Sequence, residues 1–373
     1  MADNQDKIRI LVLSGGGGRG AFHVGVYKYL AEHGWDPQVV IGTSIGAVNG
    51  AAIVQGLSPQ ELEEIWIPLQ EQHIEALPPG MRWLARKVVG VIFKDVVGSR
   101  LPQVRPEESD IPKNYWPPLS LVPKWLAERL IGRWTNLLDT APLRDTLLHR
   151  MKFDAQKIAD SQKALLIAAT NVRTGERMIF SNRHVTRRST GEERDDVKYG
   201  IDINRIVASC SIPLIYPWTY DPETDAHYWD GAVVSNTPLG AALDVIQNHP
   251  AEIPAEVVVV LMTPWRDGKN QSPEGREELP TSFGEAVTWT LDWALLASFR
   301  ESLNAIQSGN LLAEQERTLG KPSFQYRHVE VKIVAPENFM PANRIIDYET
   351  QATIELIKNG YDAARKVFES EPG

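Results

Sequence analysis

Val39-Val40-Ile41-Gly42-Thr43-Ser44-Ile45-Gly46-Ala47 is the stretch on which the reading of this chain turns. Val39 to Ile41, three β-branched residues in a row, read as a short buried strand. Gly42 to Gly46 makes a tight turn, and the small-residue run from Ala47 to Gln55, stopped by Gly56, reads as a helix. The pentapeptide fits G-x-S-x-G in the context that pattern requires, with an apolar strand before it and a helix after it. In such a turn the serine is held in a strained backbone conformation that only tiny neighbours permit, so its hydroxyl projects above the sheet. Ser44 is therefore a candidate nucleophile, with Gly42, Gly46 and Ala47 supplying the room. A chance Gly-Ser-Gly turn is the plain alternative for the bare pattern.

Upstream, Ile8 to Leu13 is a short apolar run that ends in glycines, and Phe22, Val26, Tyr29 and Leu30 then recur at helical spacing until Gly34. This predicts strand, glycine loop, helix. Gly15, Gly17 and Gly20 satisfy the dinucleotide fingerprint G-x-G-x-x-G. That fingerprint needs an acidic residue about 20 positions on to hold a ribose hydroxyl, but the second strand ends in Gly42-Thr43-Ser44. A phosphate-binding P-loop fails as well, because Gly20 is followed by Ala21-Phe22. No nucleotide cofactor is expected. A glycine-rich helix start still offers open N–H groups and a partial positive charge to an anion. One such anion is the oxyanion of a tetrahedral acyl intermediate, to which a single donor contributes roughly 3 to 4 kcal/mol.

A serine hydroxyl needs a base. The usual hydrolase order is Ser, then Asp or Glu, then His. Of eight histidines, only His249 and His328 lie well beyond the plausible acid, and neither sits in an obvious catalytic loop. Asp230, in Trp229-Asp230-Gly231-Ala232 just after a strand, is the candidate that remains, against the plain reading of an Asp-Gly turn. A free carboxylate has a pKa near 4, so a base at this position needs an apolar setting, to which Tyr228 and Trp229 contribute.

Four segments together resemble the patatin-like phospholipase family: Ser14-Gly15-Gly16-Gly17-Gly18-Arg19-Gly20, Gly42-Thr43-Ser44-Ile45-Gly46, Ala208-Ser209-Cys210-Ser211-Ile212-Pro213 and Asp230-Gly231-Ala232. The resemblance runs from about Ile8 to Val260, and the helix from Thr350 to Phe368 is similar to the family's usual ending. Ile74 to Asp139 is not covered. The resemblance implies a serine–aspartate dyad without histidine, with Ser44 as nucleophile, Asp230 as base and Gly16 and Gly17 as oxyanion donors. Gly15, Gly18, Arg19, Gly20, Gly42, Gly46 and Gly231 would support them. It further implies hydrolysis of phospholipids or related acyl esters through an acyl-enzyme on Ser44, with neither metal nor cofactor; a general carboxylesterase, thioesterase or neutral-lipid lipase is the nearest alternative, and a non-catalytic lipid-binding or regulatory protein on the same fold is the alternative of another class. Arg19 would steady the loop or meet a lipid phosphate, unless it makes a plain helix-start salt bridge. Cys210 would be a small buried residue beside the active-site wall.

The rest of the chain supports an α/β fold, a mostly parallel central sheet flanked by helices on both faces, related to α/β hydrolases and carrying a helical insertion. Ser58-Pro59-Gln60-Glu61 opens a helix with a capping box. Lys163 to Thr170 and Arg177 to Ser181 form a hairpin, and Ala226 to Trp229, Glu256 to Thr263 and Val329 to Val334 are further strands. Pro238 to Gln247, Ser282 to about Leu319 and Thr350 to Phe368 are helical. The 373 residues are read as one patatin-like domain, with an insertion at 74–139 and a mainly helical part at 280–373. The insertion reverses the local charge: Arg82 to Arg133 holds ten Lys or Arg and five Asp or Glu, a balance of +5 in a chain of -9. With Trp83, Phe93, Tyr115, Trp116 and Trp125, and with Leu121, Trp125, Glu128 and Arg129 at helical spacing, it suits a lid or a peripheral lipid-docking cap. A packed cap or an oligomer contact is the alternative. The acidic balance excludes a nucleic-acid partner, which calls for a dense basic face. The lone Cys210, the absence of a secretory pattern at the N-terminus and the lack of a bilayer-length apolar run lead to an expected cytoplasmic location.

Overall fold

The computed structural model describes residues 7–70, 73–74, 138–186, 190–247, 249–265, 283–321, 325–340 and 348–369. Among these residues nine strands form one sheet: β1 (Ile8–Leu13), β2 (Val39–Thr43), β3 (Ala164–Asn171), β4 (Arg177–Ser181), β5 (Val197–Tyr199), β6 (Thr219–Asp221), β7 (Ala226–Asp230), β8 (Ala255–Val260) and β9 (Val329–Val334). Their order is β5-β4-β3-β2-β1-β8-β9, and the run β3-β2-β1-β8-β9 is parallel throughout. β7 lies antiparallel on β3 and carries β6. The main helices are α1 (Ala21–Glu32), α2 (Ile45–Val54), α3 (Pro59–Trp66), α4 (Ala141–Asp145), α5 (Ala155–Asp160), α6 (Ile203–Ser209), α7 (Leu239–Val245), α8 (Phe283–Thr318) and α9 (Thr350–Glu369).

Successive side chains of a strand point to opposite faces, and the two cores divide accordingly. Leu11, Leu13, Val40, Leu165, Ile167 and Val258 pack with α1, α2, α3 and α9. Ile10, Val12, Ile41, Leu166, Val257 and Val259 pack with α7 and α8. A parallel strand covered on both faces has no polar side to show, which is why β2, β3 and β8 read as unbroken apolar runs. Each fully buried Ile, Leu or Val contributes roughly 1.5–3 kcal/mol.

The capping box is as expected: the Ser58 hydroxyl accepts from the Glu61 N–H, and the Glu61 carboxylate accepts from the Ser58 N–H. The differences from the sequence reading are local. β2 extends through Thr43, and α2 begins at Ile45 because Ser44 itself is the N-cap. α7 is shorter at both ends than 238–247. Residues 75–137 of the insertion, including the proposed docking stretch 82–133, lie outside the described residues. Its flanks are anchored: Ile74 is buried, and the Leu138 N–H donates to the Ile215 carbonyl at 2.7 Å.

The helix that follows the glycine loop is braced from far along the chain. A Cβ placed on Gly25 of α1 would lie 1.8 Å from the Ile357 carbonyl oxygen of α9, and one on Gly360 of α9 would lie 2.1 Å from that of Phe22. Two helix backbones touch here, so neither glycine has room for a methyl group. Gly25→Ala should destabilise the protein by about 3 kcal/mol, the upper range for overpacking, seen as a lower urea midpoint. A midpoint equal to that of the wild type would mean that the helices do not cross so closely.

Candidate active site

The parallel register brings the carboxyl ends of several strands to one edge, where Leu13 pairs with Gly42 and Val260, and Thr43 with Ala168. Ligands in such sheets bind at this edge. Ser44 stands there with φ 55° and ψ −127°, a left-handed conformation that L-residues adopt at a cost of about 1–3 kcal/mol. The surroundings hold it: its N–H donates to the Ser209 hydroxyl at 2.9 Å, and that hydroxyl donates to the Ala168 carbonyl at 2.6 Å. A Cβ on Gly42 would meet the Gly46 carbonyl oxygen at 2.2 Å, and one on Gly46 the Leu13 carbonyl oxygen at 2.2 Å. Both glycines of the pentapeptide are thus demanded by close backbone approach, while Ala47 caps the turn through its N–H to the Ser44 carbonyl at 2.8 Å.

Asp230 is the last residue of β7 and pairs with Ala169, one position beyond the Ala168 that pairs with Thr43. Its N–H donates to the Ser211 carbonyl at 2.8 Å, and its own carbonyl accepts from the Thr170 hydroxyl at 3.0 Å. One carboxylate oxygen accepts from the Ala232 N–H at 2.8 Å. Only 2% of Asp230 is exposed. Burial pushes its carboxyl up to about 7, against the opposing pull of hydrogen bonds from the Ser44 hydroxyl and the Ala232 N–H. Tyr228, on the same strand face, is fully buried edge-on to Phe180, whereas Trp229 is half-buried. Gly231 is required because a Cβ there would lie 2.4 Å from the Ala168 carbonyl oxygen.

The two histidines that follow Asp230 in the chain carry no sign of a role beside it. His249 and His328 are exposed, and the His328 carbonyl accepts from Ala255 at the amino end of β8, the opposite edge of the sheet. His23 is buried on α1, where desolvation lowers its pKa to about 3 and keeps it neutral, and its Nδ1 lies 3.2 Å from the Asn49 amide nitrogen.

The glycine loop sits between these parts. Gly17 has φ 57° and opens a short 3-10 turn, Gly17–Gly20, that runs into α1. The first N–H groups of a helix have no acceptor within it, which is what an anion site needs at Gly16 and Gly17. Gly20 abuts Ile45, and its carbonyl accepts from the Asn49 amide at 3.0 Å, while Asn49 in turn accepts from the Trp66 indole at 2.9 Å. Of the readings open for Arg19, the salt bridge is the one found. Its guanidinium is 2% exposed, lies 3.1 Å from Asp292 of α8 and donates to the Met340 carbonyl at 3.0 Å, so it steadies the loop from inside. Cys210 is buried, and desolvation together with the Asp230 charge raises its thiol pKa well above the ordinary value, leaving it unreactive. Among the described residues no group of His, Cys, Asp and Glu is placed to hold a metal.

Two residues of the site were not singled out in the sequence. Ser209, which takes the Ser44 N–H, belongs to the Ala208–Pro213 segment but carries no signal of its own. Asn236, which accepts the Gly15 N–H at 2.7 Å, had no signal around it.

A largely parallel sheet that opens a G-x-S-x-G turn at its carboxyl edge defines an α/β protein of the hydrolase-like class. Comparison with known proteins narrows this. The family model for patatin-like phospholipase matches residues 11–243, more than half of the chain, and the protein belongs to that family. It is 23% identical over 263 residues to the cGAMP-activated phospholipase of Vibrio cholerae, covering 67% of this chain and 61% of that protein. A 43-residue stretch is 49% identical to the triacylglycerol lipase SDP1L of Arabidopsis thaliana, covering 12% of this chain and 5% of that protein. The chain thus spans about three fifths of the first relative's length and a small part of the second's. Among solved structures, VipD from Legionella pneumophila is similar with a TM-score of 0.42 at 13% identity, over 99% of this chain and 68% of that one.

Proposed function

We propose that this protein is a lipid acyl hydrolase of the phospholipase A or lysophospholipase type, cleaving carboxylic esters through an acyl-Ser44 intermediate. The observation that carries the proposal is Asp230, buried against the Ser44 hydroxyl with its pKa lifted to about 7. An ordinary carboxylate is too weak a base for a serine, whereas one poised near neutrality is matched to the task. Asp230 accepts the Ser44 proton as Oγ attacks the ester carbonyl. The resulting oxyanion faces the Gly16 and Gly17 N–H groups. Collapse of the tetrahedral species breaks the ester C–O bond, and the proton held by Asp230 passes to the leaving alcohol. Water then attacks the acyl-Ser44 carbonyl with Asp230 again taking the proton, and the fatty acid leaves as Ser44 recovers its own.

A lipid substrate is favoured by the surroundings as well as by the family. Leu214, three residues after Ser211, is 77% exposed, and Val233 and Val234, just beyond Asp230, are 52% and 40% exposed. Apolar side chains left in water on both segments that hold the acid suit contact with acyl chains. No helix among the described residues is long and apolar enough to cross a membrane. Lipid would therefore be met at a bilayer surface, with residues 82–133 as a proposed peripheral contact that rests on sequence alone and a cytoplasmic location that rests on the same footing. The phospholipase name of the first relative agrees with this reading, and the lipase name of the second agrees with the neutral-lipid alternative already open in the sequence.

The test is fatty-acid release from mixed phosphatidylcholine and phosphatidylethanolamine vesicles, run beside a triacylglycerol emulsion and beside labelling by a fluorophosphonate. Release from vesicles with the adduct mapped to the peptide containing Ser44 is the expected result. Labelling with release only from the emulsion would move the substrate to neutral lipid, and neither labelling nor release would sink the proposal.

A further inference from the structure

The segment that follows Asp230 does more than end a strand. Asn236 is 5% exposed, and its side-chain oxygen accepts the Gly15 N–H at 2.7 Å. A Cβ on Gly15 would lie 2.8 Å from that oxygen and 3.0 Å from the Ser44 Cβ, so Gly15 is wedged between Asn236 and the nucleophile. The neighbouring Ser235 carbonyl accepts from the Thr43 hydroxyl at 3.3 Å, and the Ser235 N–H returns to the Gly231 carbonyl at 2.8 Å. Residues 230–236 therefore touch the nucleophile's strand with one residue and the glycine loop with the next.

We infer that Asn236 is a positioning residue for the reaction: by taking the Gly15 N–H it turns the loop so that the next two amides, Gly16 and Gly17, face an oxyanion at Ser44. The inference rests on the reading of Ser44 as nucleophile given above. The chemistry of the position supports it. An apolar side chain at 236 would leave the Gly15 N–H buried without an acceptor, a state proteins avoid. A neutral amide satisfies that N–H without setting a negative charge beside the place where one develops in the transition state. Because Asn236 and Asp230 share one short segment, the base and the anion site are set relative to Ser44 by the same piece of backbone.

The experiment compares the full-length wild type with Asn236→Ala and Asn236→Asp, the latter keeping an acceptor oxygen. Amide hydrogen exchange through the peptide covering residues 10–22 should be at least about tenfold faster in Asn236→Ala, as expected for a lost buried hydrogen bond, and should return towards the wild-type rate in Asn236→Asp. Turnover of Asn236→Ala should fall on the order of 10²-fold in kcat, the scale of a small displacement of an aligned group, with KM within about threefold. Exchange unchanged in Asn236→Ala, or equally fast in Asn236→Asp, would overturn the inference, as would a loosened loop with full kcat or a loss confined to KM. If the wild type hydrolyses no ester, the functional reading fails by itself, and the exchange measurement still decides whether Asn236 holds the loop.

Discussion

Ser44→Ala is expected to lower the rate of acyl-ester hydrolysis on the order of 10⁵-fold, the scale seen when the nucleophile is taken from an enzyme whose oxyanion donors and binding surface remain. The substitution leaves the fold intact, because the backbone at 44 is held by the N–H to Ser209 and by the carbonyl to Ala47, neither of which uses the serine side chain. Binding to lipid vesicles should therefore survive while release is lost. The same position predicts a gain in the opposite sense. With φ at 55°, Ser44→Gly relieves backbone strain and should raise stability by about 1 kcal/mol. Residual activity above a few per cent in Ser44→Ala would show that another group makes the attack.

Asp230→Asn should cost about 10³- to 10⁴-fold in kcat, the upper part of what a general base supplies, and it should stabilise the protein. The wild-type rate should rise with pH through about 7 and then level, as the buried carboxyl ionises. The stability effect follows from linkage. The folded-state pKa of about 7 is above the ordinary 3.8, so between these values the native state holds a proton that the unfolded state has lost. The wild type loses stability as pH rises across that window, by about 4 kcal/mol at roughly 1.4 kcal/mol per pH unit. Asparagine does not titrate. The variant should thus be about 2–4 kcal/mol more stable than the wild type at pH 8, allowing for altered hydrogen bonding, and nearly equal to it at pH 4. Urea midpoints at the two pH values measure this, and a variant no more stable at pH 8 would mean that Asp230 is not buried as described.

How much was legible in the sequence depended on how local the cause was. The turn around Ser44 was readable because its steric demands fall on Gly42 and Gly46 within the pentapeptide, and the buried strands because parallel packing makes them uniformly apolar. β5 and β6, at three residues each, are too short to show a period. The role of Arg19 stayed open because its carboxylate partner lies 273 positions away, and Asn236 was invisible because it meets Gly15 across 221 positions. Motifs record what neighbours in sequence need from each other; contacts made across the sheet leave no such record.

The crossing of α1 and α9 also sets an order of events during synthesis. The glycine loop and the Ser44 turn leave the ribosome early, but β1 must wait for β8, its partner in the middle of the sheet, and α1 must wait for the groove that Gly360 opens in α9. A growing chain that already carries Ser44 therefore still lacks the helix against which α1 is braced until residues 350–369 have been made. For a protein proposed to act on membrane lipid, that late bracing is a form of delay built into the path of the chain itself.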